Sequence, residues 1–344
     1  MIRKAETLMM TVVLIAMYCR PALAQAPAST LKVELRNVVE YQMDTSDLSK
    51  YGTNPSITKG GINTSGAAPC FGVPAVALGD IVSVNGQPAT GTYVSRAVNI
   101  CVTPTPIAGQ PLADTTHNSM RYETYEILQS DGTPVGTIMT QGLNAGGPSP
   151  PGPPSGSQNF AIVGGTGAFL GARGQTGNAA QGLGSSAIPI RLASITEDPA
   201  SRRLNGGGHV VFTLYMIPIE QPQIVLTAGG PAITHSNDFS LVSASKPAAA
   251  GEVLSLFATG LGPTIPGAAP GQPFPSSPLA VVNSPVAVTV NGKVAQVMSA
   301  VGYPGATDGY QVNFQMPPDT AKGTATIQIS AAWIAGASIG IPVQ

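Results

Sequence analysis

Gly165-Thr166-Gly167 closes an apolar run from Phe160 to Val163, the place where a phosphate-cradling loop would sit. The chemistry would be anion binding, with bare backbone N–H groups closing on a pyrophosphate at a strand-to-helix turn. That reading needs a helix of good formers next, then a distant acid on a parallel strand. The residues that follow, Gln175 to Gly184, are too rich in glycine for a stable helix, so nucleotide binding is set aside. Nucleophilic catalysis finds no better footing. His117 and His209 lie in polar or glycine-rich surroundings, His235 falls in a linker, and Cys101 has no evident His partner. No Gly-x-Ser-x-Gly elbow precedes a helix. Asp44, Asp47 and Asp308 are scattered rather than spaced as a calcium loop, and 3 His with 3 Cys leave a zinc site few ligands. No metal and no cofactor are expected. Tyr122 and Tyr125 alternate imperfectly with Glu123 and Glu126, which reads as core packing with outward carboxylates.

The elements that would position any site are strands. Gly 41 and Pro 32 in 344 residues favour many short strands and oppose long helices. Hydrophobic residues at 43% suffice for real cores. With 10% charged residues and a formal net charge of −1, there is no electrostatic footprint for nucleic acid or an anionic membrane. Leu31 to Tyr41 alternates, with a phase slip that predicts a bulge. Gly79 to Val84 runs into an Asn85-Gly86 turn, and Ala97 to Val102 reads as a separate strand. Arg121 to Leu128 and Val135 to Gln141 flank Asp131-Gly132 as a hairpin; the Phe160 run, Ile188 to Ile195 and Val210 to Met216 follow. Asp44 to Gly79 and Asn144 to Ser157 read as long loops. About eight strands at hairpin spacing suit a closed barrel whose interior holds side chains or one small ligand.

The N-terminus reads as an address. Arg3-Lys4 precede a short apolar run, Leu8 to Met17, and Ala22-Leu23-Ala24 forms a small-x-small cleavage site before Gln25. Residues 1–24 are therefore expected to be a signal peptide, and the mature protein to be secreted, periplasmic or extracellular, after cleavage near Ala24. No later stretch is long and apolar enough for a transmembrane span. Cys19 leaves with the leader, so Cys70 and Cys101 remain, as a disulfide or as two buried thiols.

Val163-Gly-Gly-Thr-Gly-Ala-Phe-x-Gly-Ala-Arg-Gly174 resembles the signature of the allene oxide cyclase and dirigent superfamily, small antiparallel barrels with an apolar interior. Gly79-Asp80, Asn99-Ile-Cys-Val102 and Phe212 to Pro218 resemble other strands of that family, and the likeness covers residues 31–222. It implies a structural turn at Gly164, Gly165, Gly167, Gly171 and Gly174. It also implies a catalytic carboxylate at Glu40 and an amide at Gln42, on one strand face by the two-residue period. Such groups in a dry pocket would steady charge building during epoxide opening. Cys101 falls where the family places a pocket cysteine, and Asn159 stands where it carries a tyrosine. The dirigent branch, which guides coupling of reactive phenolic intermediates, is matched better at Ala172-Arg173-Gly174; Arg173 would be a cation at the pocket rim or a turn arginine bonded to backbone carbonyls.

From residue 223 to 344 the strands are short and regular: Ala250 to Pro263 as a strand ending in a turn, Val286 to Val290 with Asn291-Gly292, Val294 to Val301, Tyr310 to Pro317 and Gly323 to Ile329. That pattern predicts a β-sandwich. Gly251-Glu252, Thr259 to Pro263, Asn291-Gly292 and Gln311 to Gln315 carry a resemblance to the immunoglobulin-like C-terminal module of exported bacterial proteins, an accessory for presentation or adhesion. The expectation is an all-β protein, an eight-stranded antiparallel barrel plus an Ig-like sandwich. The barrel would be a non-catalytic scaffold or holder of a small hydrophobic ligand, with a surface or protein partner met through the sandwich. The alternative is a cyclase or stereo-directing enzyme acting on a reactive lipid or phenolic intermediate.

Overall fold

The computed structural model describes residues 29–42, 70–101, 118–145, 160–176, 188, 190–194, 196–217, 220–268 and 271–344, with the side chains at 42, 70–75, 98–101, 118–119, 143–145 and 192 outside that description. The described residues are all-β, save a single 3-10 turn at Pro199–Ser201. Eight strands close a barrel: β1 (Ser29–Gln42), β2 (Cys70–Val84), β3 (Gln87–Cys101), β4 (Asn118–Gln129), β5 (Pro134–Ala145), β6 (Ala161–Gly167), β7 (Arg173–Thr176) and β9 (Gly208–Ile217). Each pairs antiparallel with its neighbours, and β1 closes the ring by pairing with both β2 and β9. A ninth strand, β8 (Arg191–Ser194), runs parallel to the last residues of β1, beyond the point where β9 leaves it.

The barrel differs from the sequence expectation in instructive places. Gln87 to Arg96 is strand, so Ala97 to Cys101 is only the end of a long β3 rather than a strand of its own. β7 was not expected, and the segment near Ile188 supplies β8, which is not a stave of the closed ring. Gly164 and Gly165 lie within β6, not in its turn. A Cβ on Gly165 would sit 2.2 Å from the Phe169 carbonyl oxygen, so glycine there lets the following turn fold back onto the strand. The turn itself uses Gly167 (φ 62) and Gly171 (φ 68), and Gly174 (φ 137) lies at the start of β7 against Tyr215.

The bulge in β1 is where the phase slip placed it. Asn37 takes φ 52, and the register with β2 shifts between Arg36 and Val39. Without that extra residue Val38 and Glu40 would face outward, since a one-residue slip inverts a strand. With it, Leu31, Val33, Leu35 and Val38 all join the apolar interior with Ile81, Tyr93, Tyr125, Ile127, Ile138, Phe212 and Leu214.

The rest of the chain forms a second sheet that curls around its own core, built on Leu254, Leu256, Val288, Val312, Phe314, Ile327 and Ile329. Its hairpin at Asn291-Gly292 (φ 51 and 78) has the primed-turn geometry that the dipeptide predicts. A second tight turn does the same with the wrong residues: Ala332 (φ 48) and Trp333 (φ 63) join Gly323–Ala331 to Ile334–Ala335. Left-handed backbone at non-glycine residues is costly unless the surroundings impose it. Here they do, because Ala332 and Ile334 are buried in the barrel's own apolar cluster and Trp333 packs against it. Gln129 Nε2 donates to the Asn283 carbonyl (2.6 Å), and Asn283 Nδ2 donates to the Pro134 carbonyl (3.1 Å), fixing the same junction. The second sheet thus caps the barrel end that carries the β2–β3, β4–β5 and β6–β7 turns. At the opposite rim the strands lead into residues 43–69, 102–117, 146–159 and 177–187, which are outside the described residues.

Candidate functional site

Strand alternation and register build one polar row across the barrel interior near that opposite rim. Glu40 on β1 lies beside Ala77 on β2, Ala77 beside Ser95 on β3, Ser95 beside Glu123 on β4, and Glu123 beside Thr140 on β5. All five are buried. One row further toward the rim come Ala97, Arg121 and Gly142, with the Phe160 ring lying over Gly142, where a Cβ would meet it at 2.4 Å. One row deeper, Tyr93 and Tyr125 pair across the strands and pack with Phe212 at ring separations of 5.1–5.8 Å.

Small side chains on β2 and β3 decide what the large ones can reach. Because Ala77, Ser95 and Ala97 fill little space, Arg121 extends from β4 past two strands to Glu40 on β1, with Nη2 2.9 Å from Oε2. Both side chains are mostly buried, at 17% and 11% exposure. Burial works against the charge on Arg121, yet Glu40, the Tyr93 phenol and Glu123 together hold its pKa above the ordinary value. Removing one member of such a pair strands a buried charge, at a cost of about 3–5 kcal/mol.

Glu123 sits deeper and is held differently. Tyr93 Oη donates to Oε1 (2.8 Å), while Tyr125 Oη and Thr140 Oγ1 each donate to Oε2 (2.9 Å). Three donors favour the carboxylate, but burial outweighs them and raises the Glu123 pKa. Burial, followed by the adjoining Glu123 charge, pushes the Tyr93 and Tyr125 phenols well up, so both remain donors. Two interior polar atoms, Arg121 Nε and Ser95 Oγ, have no hydrogen-bond partner among the described residues. Ser95 lies close enough to ease ionisation of the Tyr93 phenol, but outside hydrogen-bonding geometry. The arrangement can accept a proton at Glu123, donate from guanidinium and hydroxyl, and hold one charge pair out of water.

Of the residues singled out from sequence, Glu40 is in this row. Gln42 ends β1, and its side chain is outside the described residues, as are those of Cys70 and Cys101; Asn159 and His117 lie wholly outside them, as do Asp44 and Asp47. The β2–β3 register does set position 70 directly opposite position 101. Arg173 requires correction as a pocket residue: it is exposed on the outer face of β7, because the strand turns Thr176 inward and Arg173 with Gln175 outward. Glu123 also corrects the expectation of outward carboxylates on β4, which holds for Glu126 alone. His209 is engaged with Glu34 (2.8 Å), and buried His235 with Glu252 (2.5 Å). No group of His, Cys, Asp or Glu suited to a metal occurs among the described residues.

Sequence reasoning missed Arg121, Tyr93, Ser95 and Thr140. On β4 the set Arg121, Glu123, Tyr125 and Ile127 competes with Tyr122, Thr124, Glu126 and Leu128, and both sets are amphipathic. Only the register with β3 and β5 decides between them. The chain matches no protein-family profile, no curated protein and no solved structure.

Proposed function

We propose that the barrel is a binding module for a small, mainly apolar ligand, seated near the rim opposite the second sheet, in an exported protein. One observation carries this reading: buried polar groups with unused hydrogen-bonding capacity, Arg121 Nε and Ser95 Oγ, belong to residues paired across the strands with the small Ala97 and Ala77. Ligand sites are typically apolar with a few convergent polar groups. The likeness of the glycine stretch to the allene oxide cyclase and dirigent barrels supports a ligand of that general kind. The second sheet, read as an immunoglobulin-like sandwich, would present the barrel at a surface or to a protein partner. In an exported chain the paired positions 70 and 101 suit a disulfide, since directly opposed antiparallel residues fall within the Cα separation a bridge needs.

The test is titration of the full chain with fatty acids and phenolics, followed by NMR of the Tyr93 and Tyr125 rings. Saturable shifts that Ala97→Leu abolishes by filling the space are expected. No saturable shift with any probe would leave the barrel as scaffold only.

A cyclase reading draws on a separate observation, the inward Glu40 and the raised pKa of Glu123. A carboxylate and a buried acid in one dry row could steady charge in an opening epoxide. Incubation with an enzymatically generated fatty-acid epoxide should then give one enantiomer in excess. Racemic product excludes it.

A further inference from the structure

The charges around the two unpartnered atoms restrict what can approach them. Arg121 is the only cation facing the described interior, and its Nη2 is already committed to Glu40. Two carboxylates, Glu40 and Glu123, lie in the adjoining row, one step deeper. The inward residues of the far wall, Ile162, Thr176, Val210, Phe212, Leu214 and Met216, are uncharged. The Tyr93, Tyr125 and Thr140 hydroxyls all donate to Glu123, so none has a proton left for a guest.

The fully buried polar atoms left without a partner here are Arg121 Nε–H, which can only donate, and the Ser95 hydroxyl, which can do either. Arg121 and Ser95 are diagonal neighbours on adjacent strands, with Cα atoms roughly 7–8 Å apart, so one guest atom can lie between their side chains. That atom must be an acceptor, which rules against an ammonium. A carboxylate head would bring a further negative charge to a guanidinium already neutralised, in surroundings where charge interactions are poorly screened.

We propose that the upper interior selects an apolar molecule bearing an uncharged acceptor oxygen, such as a ketone or ester carbonyl, seated between Arg121 Nε and Ser95 Oγ. This rests on the binding reading of the barrel and adds the chemistry of the head group. The raised pKa of Glu123 agrees with it, because a site tuned for neutral groups resists accumulating charge.

The experiment compares methyl alkyl ketones, alkanoic acids and alkylamines of matched chain length, hexyl and decyl, by calorimetry on the full chain. The ketone is expected to bind at least about tenfold more tightly than the acid or the amine. Ser95→Ala should weaken ketone binding roughly fivefold, the effect of one neutral hydrogen bond. Arg121→Lys, which keeps the charge but withdraws the Nε–H, should weaken it roughly tenfold. An acid or amine that binds as tightly as the ketone overturns the proposal while leaving the barrel a binder. Ketone affinity indifferent to both substitutions also overturns it. If no ketone, acid or amine binds, the binding reading falls as well. Ser95→Ala removes a single oxygen, so that arm stands even should Arg121→Lys fail to fold.

Discussion

Two carboxylates in one barrel wall, Asp80 on the outer face of β2 and Glu123 on the inner face of β4, are both ringed by donors and are driven in opposite directions. Asp80 receives Asn37 Nδ2 (2.8 Å), Arg202 Nη2 (2.6 Å) and both Nε and Nη2 of Arg203 (2.9 and 2.8 Å). Its pKa falls to about 2, since those bonds, two partners being cations, outweigh burial. Glu123 receives three neutral hydroxyls in a setting closed to water, and burial wins. Donor count therefore does not fix the state of a carboxylate; the charge of the donors and the depth of the site do. The difference also assigns roles. Asp80 ties the segment carrying Arg202 to the β1 bulge, where Arg202 Nη1 also donates to the Asn37 carbonyl (2.8 Å), and that bulge is what aims Glu40 inward. The outer cluster locks the bulge, and the inner one lines the proposed site.

The largest effect should come from breaking the inner charge pair. Arg121→Ala leaves Glu40 buried without its cation and should cost about 3–5 kcal/mol in urea unfolding. Replacing both partners, Arg121→Met with Glu40→Gln, should return most of that loss, because the penalty lies in the stranded charge rather than in the missing attraction. A double variant as unstable as the single one would show that Arg121 acts as a packing residue, and the distinction between lock and site would blur. Next comes Asp80→Asn. The depressed pKa means that Asp80 adds stability above its unfolded value near 3.8 and loses it as pH falls toward about 2. After allowance for solvent screening, this is about 1–2 kcal/mol. The variant should be less stable at neutral pH and should show a shallower acid limb in thermal melts from neutral pH to pH 2.

The sequence made the staves and the bulge legible because both follow from local alternation, which a phase slip at Asn37 interrupts visibly. The Asn85-Gly86 and Asn291-Gly292 turns were legible for the same reason: their left-handed backbone is written in the residues that adopt it. The Ala332-Trp333 turn was not, because tertiary packing against the barrel imposes its conformation. β7 was hidden by its glycine and by its brevity, four residues joined to β6 and β9 only by register. The polar row was hidden more deeply. Glu40, Ser95, Glu123 and Thr140 come from four strands, and no pairwise spacing in the chain brings them together. Arg121 to Tyr125 did carry a hint, two charged residues in step with an aromatic, but an amphipathic strand with a solvated face has the same pattern.

Glu123→Gln sharpens the comparison most directly, although its effect is the smallest. Glu123 has a folded pKa above its unfolded value, so the folded state holds the proton more tightly. Between the two values the native state binds more protons than the unfolded one, and stability must fall as pH rises through the folded pKa. The contribution is fully present below about 4.5 and fades above it, the reverse of the Asp80 limb. Glutamine keeps the shape and an acceptor, and the hydroxyls of Tyr125 and Thr140 can rotate to accept from its amide. The substitution should flatten the stability profile above about pH 4.5 with little change at the acid end, as read by urea midpoints from that pH upward. If the wild-type profile is already flat there, or if Glu123→Gln steepens it, the three hydroxyls outweigh burial, and Glu123 is a charged lock of the same kind as Asp80.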